Sequence, residues 1–108
     1  MRYLEILEEW ASNNRSSLEK KGITIDFVRS RPSEKPAAYI DIDTASTLAR
    51  VTAWNSGELQ LEAIEAGSGK QLTVETHKAE NTQVMIDLIS SFVSHLTWET
   101  AKFNTRLQ

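Results

Sequence analysis

The sequence predicts an α+β fold: a two-layer sandwich of about five antiparallel strands in one sheet, with N- and C-terminal helices on one face. Three observations predict it. Leu48 to Ile64 (LARVTAWNSGELQLEAI) alternates apolar and polar residues on both sides of Asn55-Ser56-Gly57, as two strands joined by a tight turn do. Other short stretches repeat the period-two pattern at hairpin-like spacing. Towards both ends of the chain the apolar residues recur instead at spacings of three and four, the mark of amphipathic helices.

Tyr3 to Lys21 reads as the first helix. Leu4, Leu7, Trp10 and Ala11 make its apolar stripe, Ile6 widens it, and Glu5, Glu8 and Glu9 take the opposite face. Acidic residues early and Lys20-Lys21 late complement the helix dipole, and Gly22 stands where a C-terminal cap belongs. Asn13-Asn14 is weak in a helix interior and marks the place for a break; Leu18 continues the stripe if the helix persists.

Ile23 to Val28 is the first strand, with Ile23, Ile25 and Phe27 on one face. Arg29 to Pro36 (RSRPSEKP) is polar with two prolines, which cannot donate to a ladder, and reads as a loop. Ala38 to Asp43 sets Ala38, Ile40 and Ile42 against Tyr39, Asp41 and Asp43, and a turn over Thr44 to Thr47 leads into the hairpin. Gly67-Ser68-Gly69-Lys70 is the next turn, followed by a strand in which Leu72 and Val74 alternate with Thr73 and Glu75. From Glu80 the period changes. Val84, Met85, Leu88, Ile89, Phe92, Val93 and Leu96 form a wide helical stripe with Asn81 or Thr82 as N-cap, and Trp98, Phe103 and Leu107 either prolong this helix or pack as a tail.

The helices need an apolar surface, and Ile25, Phe27, Ile40, Ile42, Val51, Leu59, Leu61, Leu72 and Val74 are the expected core face of the sheet. Each large side chain buried there contributes on the order of 1.5–3 kcal/mol. One residue out of phase lie Asp26, Tyr39, Asp41, Arg50, Trp54, Glu62 and Glu75. No third helix is left to cover them, so they form the candidate partner-binding surface. Trp54 is expected at its centre, since tryptophan is a common binding anchor; the other reading has it covered by Trp98 or Phe103.

Composition narrows the function classes. The 108 residues are the size of one domain, and a single domain over 1–108 is expected, with ordinary globular values of 40% hydrophobic and 25% charged residues. Cysteine is absent, which excludes disulfides and thiolate metal sites. The start MRYLEILEEW interrupts any signal-peptide core with acidic residues, and no apolar run reaches spanning length, so the expectation is a cytoplasmic protein without a membrane partner. A net charge of −3 argues against nucleic acid and leaves room for a basic protein partner.

Catalytic motifs are missing. Asp41-Ile42-Asp43 has the form of a DxD metal motif, which Asp26 or Glu62 could join, yet alternating aspartates arise easily on any wet strand. Gly67-Ser68-Gly69-Lys70 lacks the flanking glycine of a phosphate-binding loop and precedes a strand rather than opening a helix. His77 and His95 stand beside no serine or aspartate set with triad spacing. The expectation is therefore a binding protein, not an enzyme, with no cofactor and no metal.

Taken whole, the chain resembles the small immunity proteins of bacterial polymorphic toxin systems, and in particular the TriTu type. The resemblance is carried by the start around LEEW, the strand AYIDID, and RVTAWNSGELQLEAIEAGSGK followed by a C-terminal helix. It implies an antitoxin that binds and neutralises a cognate toxin domain inside the producing cell. It supplies no contact residues, so the surface named above rests on strand parity alone. Two other readings stay open: an acidic secretion chaperone that holds an effector segment in a groove between helix and sheet edge, and a small metal-dependent enzyme using Asp41, Asp43 and Glu62.

Overall fold

The computed structural model describes residues 2–30 and 36–107, with side chains described as far as Thr97. The chain runs α1 (Tyr3–Glu19), β1 (Thr24–Arg29), β2 (Ala37–Asp43), β3 (Thr47–Trp54), β4 (Glu58–Glu65), β5 (Gln71–Lys78) and α2 (Thr82–Leu107). The strands pair in sequence order, β1-β2-β3-β4-β5, and every pairing is antiparallel. Both helices lie on one face of this meander, and the α+β two-layer arrangement expected from the pattern is the one observed.

Helix α1 passes Asn13-Asn14 without a break. The Asn14 side-chain amide donates to the Trp10 carbonyl at 2.8 Å, so it supports the turn where the helical pattern is weakest. The helix ends in a Schellman motif on Gly22, whose φ of 81° suits a residue without Cβ. Gly22 N–H donates to Glu19 O and Ile23 N–H to Leu18 O, each at 3.0 Å, and Leu18 and Ile23 are both buried beside the cap. At α2, Asn81 is the N-cap: its side-chain oxygen accepts from Val84 N–H at 2.9 Å.

The core lies between helices and sheet. Tyr3, Leu4, Leu7, Trp10 and Leu18 of α1 and Met85, Ile89, Phe92, Val93 and Leu96 of α2 meet Ile25, Ile40, Ile42, Val51, Leu59 and Leu61 of the sheet. The two helices are joined by the Trp10 indole N–H, which donates to Ser90 Oγ at 3.2 Å. Phe27 is half-buried against this cluster, and Val84 is exposed.

Two strand residues expected in the core are not there. Leu72 is 51% exposed and Val74 48% exposed. The β4–β5 register sets Leu61 opposite Glu75, Glu62 opposite Val74 and Ala63 opposite Thr73, which turns the apolar phase of β5 to the open face. A bulge at Ala63/Ile64 then brings Ile64 opposite Gln71 and leaves Leu72 as the extra residue. The physical reason is the footprint of the helices. α1 packs on β1, β2 and β3, and α2 on α1 and β3, so β5 lies beyond the main cover of either. Burial cannot select the phase of a strand that has no dry side, and the hydrogen-bond register decides instead.

Three glycines have positive φ, and one of them is crowded. Gly57, at φ 96°, closes the β3–β4 turn, and a Cβ there would sit 2.8 Å from the Ala79 carbonyl oxygen and 3.1 Å from the Tyr3 ring. Ala79 N–H donates to Gly57 O at 2.8 Å, and the Tyr3 hydroxyl donates to Ala79 O at 2.9 Å. Residues 31–35 of the expected proline loop lie outside the described residues; at its ends, Ser30 N–H donates to Ala37 O at 3.0 Å.

Candidate functional site: the open face of the sheet

The uncovered face is a grid of cross-strand rows, fixed by the register. One row runs Asp26, Asp41, Arg50, Glu62, Val74 across the five strands. On one side of it lie Thr24, Asp43, Leu48 and Ile64; on the other lie Val28, Tyr39, Thr52, Gln60 and Thr76. The structure thus brings Asp26, Tyr39, Asp41, Arg50 and Glu62 together as strand parity predicted.

Arg50 organises the middle of this face. Its Nε donates to Asp41 Oδ1 at 2.7 Å and its Nη2 to Asp41 Oδ2 at 3.2 Å, a bidentate pair of neighbours on adjacent strands. The guanidinium carbon lies 4.0 Å from the centroid of the Tyr39 ring, so one arginine is clamped by a carboxylate and an aromatic face. The hydrogen bond to Asp41 is the largest of the effects that raise the Arg50 pKa above its usual value. Both partners are partly exposed, so the pair adds little to stability. Its effect is to fix the position of a charge. Asp43, opposite Leu48, has its pKa raised from 3.8, first by burial and then by the charges of Asp41 and Asp26. Asp41, Asp43, Leu48, Arg50, Glu62 and Ile64 line a shallow depression in the face.

Two expected members are placed differently. Glu75 is opposite Leu61, on the helix-bearing side, where its carboxylate lies 3.8 Å from His77 Nε2; the reversed phase of β5 is the cause. Trp54 is on the open face and half-buried, but opposite Ala37 at the turn end of β3 rather than at the centre. The side chains of Trp98 and Phe103, its alternative cover, lie outside the described residues.

The depression also contains Leu48 and Ile64, which are not in the expected set. Leu48 and Ile64 share the phase of Arg50 and Glu62, so their exposure was readable from alternation; that of Leu72 and Val74 was not, because it depends on the β4–β5 register. The DxD aspartates both face outward, with Asp41 engaged by Arg50. Among the described residues, no group of three or more His, Cys, Asp or Glu is arranged to hold a metal ion. The Gly67–Lys70 segment is a hairpin turn in which Gly69 N–H donates to Glu65 O and Glu65 N–H to Lys70 O, each at 2.8 Å. No helix among the described residues is long and apolar enough to cross a membrane.

The other side of the sheet has a groove between α2 and β5, where Thr73, Glu75 and His77 face Leu88, Ser91 and His95. Its apolar floor, Leu61 and Phe92, is already buried.

Compared with known proteins, the chain matches the family model described as Immunity protein TriTu over residues 5–95. No curated protein matches it.

Proposed function

The chain belongs to the TriTu family of immunity proteins, and from that premise we propose that it neutralises a cognate toxin domain by covering it with the open face of its sheet. The observation that carries the proposal is the row Asp26, Asp41, Arg50, Glu62, flanked by Tyr39, on the sheet face turned away from the core that the helices pack. Carboxylates predominate there, which suits a partner that is basic around its active cleft, and such complementarity acts mainly on encounter rate and partner choice. The clamp from Asp41 and Tyr39 holds the Arg50 guanidinium in place before the partner arrives, so little ordering cost remains at binding. Trp54 contributes an aromatic contact at the edge of the surface. In this reading the protein acts by binding rather than by catalysis, in the cytoplasm of the cell it protects, and needs no cofactor.

The groove between α2 and β5 has the form a secretion chaperone requires. It lacks the open face's acidic row, since Glu75 is the one carboxylate among the residues that line it. The open face is the better candidate for that reason.

Association and dissociation rates against the cognate toxin domain test the proposal. Asp41→Lys and Glu62→Lys should slow association at about 0.1 M salt and much less at about 1 M, where the screening length falls from about 10 Å to about 3 Å. Trp54→Ala should speed dissociation. Variants of all three positions that fold, bind at wild-type rates and still protect cells would move the interface off this face.

A further inference from the structure

Four large apolar side chains are exposed at one corner of the open face: Leu48 at 42%, Ile64 at 36%, Leu72 at 51% and Val74 at 48%. They adjoin one another. Leu48 is the cross-strand partner of Ile64, the bulge sets Leu72 beside Ile64, and Val74 follows two residues on along β5. Such a contiguous patch on a small domain marks a contact surface more often than isolated exposed leucines do.

The corner borders directly on acid. Asp43 is opposite Leu48, and Glu62 is opposite Val74 and two residues from Ile64. Leu48 and Ile64 share with Asp41, Asp43, Arg50 and Glu62 the walls of the depression, where the Arg50 guanidinium is held by Asp41. Asp41 is already neutralised by Arg50, whereas Asp43 forms no ion pair among the described residues. A site of that composition fits a side chain that is itself half apolar and half cationic. Lysine and arginine lay their methylene stems on apolar surface while keeping the charged head near polar groups.

Resting on the reading of the open face as the toxin-binding surface, we propose that its principal anchor is the Leu48–Ile64–Leu72–Val74 corner. This corner receives from the toxin a lysine or arginine whose stem packs on Leu48 and Ile64 and whose head meets Asp43 and Glu62. A neighbouring apolar side chain of the toxin covers Leu72 and Val74. The bulge has a role in this design, since it adds Leu72 to the patch at the sheet edge, and bulges commonly re-aim side chains at functional sites. Charge decides between this occupant and a second copy of the chain. A symmetric pairing of two corners would bring the carboxylates of Asp41, Asp43 and Glu62 on one molecule towards those on the other, and like charges meeting at an interface disfavour the contact. The raised pKa of Asp43 agrees with a carboxylate held ready for a cation to stabilise its charged form.

The experiment compares wild type, the Leu72→Ser/Val74→Ser double variant, Ile64→Ser and Asp43→Asn for binding to an inactive form of the cognate toxin domain. Val84→Ser, an exposed apolar change on α2, is the control. All four positions of the patch are exposed, so melting temperatures should stay near wild type, and Ile64→Ser tests the corner independently of β5. The double variant and Ile64→Ser should each weaken binding roughly tenfold or more, mainly through faster dissociation, with the salt dependence unchanged. Asp43→Asn should reduce the salt dependence, and Val84→Ser should bind as wild type. If Asp41→Lys and Glu62→Lys weaken binding while the apolar variants match wild type, the corner is not the anchor although the open face remains the interface. If every open-face variant binds as wild type, both readings fall. A wild-type dimer in sedimentation, dissociated by the double variant with toxin affinity unchanged, would give the corner to self-association and overturn the proposal.

Discussion

In β2, Ala38, Ile40 and Ile42 point under the helices while Tyr39, Asp41 and Asp43 face the open side. In β5, the apolar pair Leu72 and Val74 faces the open side while Thr73, Glu75 and His77 lie towards α2. Both strands alternate, and alternation divides each into two sets equally well. What differs is the surroundings. β2 has strands on both sides and α1 above it, so a wrong phase would expose three buried residues and bury two aspartates. β5 has one neighbour and stands outside the main footprint of the helices, so neither phase is penalised by burial. The same pattern therefore builds core in one strand and surface in the other.

Substitutions can break this comparison, and the largest effect is expected in β2. Ile40→Ala should destabilise by about 2–5 kcal/mol in denaturant unfolding, because the side chain is fully buried and leaves a cavity. Gly57→Ala should come next, at about 1–3 kcal/mol, since φ 96° is strained for any other residue and the new Cβ would meet backbone at 2.8 Å. At the other end of the comparison, Leu72→Ala should change stability by no more than about 0.5 kcal/mol. A large loss there would mean that β5 has a dry side after all. The smallest effect belongs to Asp43. Its folded pKa is raised, so the native state keeps this proton to higher pH than the unfolded chain does. Its contribution to stability therefore falls as pH rises through the window just above 3.8, and Asp43→Asn should remove that fall in acid titrations of the melting temperature.

Most of the fold was legible because neighbouring signals agreed. Gly22 followed a helical stripe, Asn81 preceded one, and Asn55-Ser56-Gly57 separated two strands whose apolar sets were both inward. At Asn13-Asn14 local propensity gave the wrong emphasis, because the stripe that continues to Leu18 and the Asn14 hydrogen bond hold the helix together. The candidate site was legible where parity was anchored by burial. Asp26, Tyr39, Asp41, Arg50 and Glu62 were found that way, and the structure added the Arg50 clamp, which no pattern of single strands contains. Glu75, Leu72 and Val74 were misplaced together, since one phase choice on one unburied strand moves all three. Trp54 was given the right face and the wrong position along it, because row position follows from register and not from residue type.

The hydrogen bond from Tyr3 to the Ala79 carbonyl links groups 76 positions apart, with Gly57 bound to the same residue. Everything in the meander, by contrast, pairs with its neighbour in sequence. During synthesis the sheet can therefore grow one hairpin at a time, while the first helical residue waits for its acceptor until β5 has left the ribosome. The expectation is that the Tyr3–Gly57–Ala79 junction closes after the hairpins have formed. Tyr3→Phe should then quicken unfolding far more than it slows refolding, as contacts formed after the rate-limiting step do.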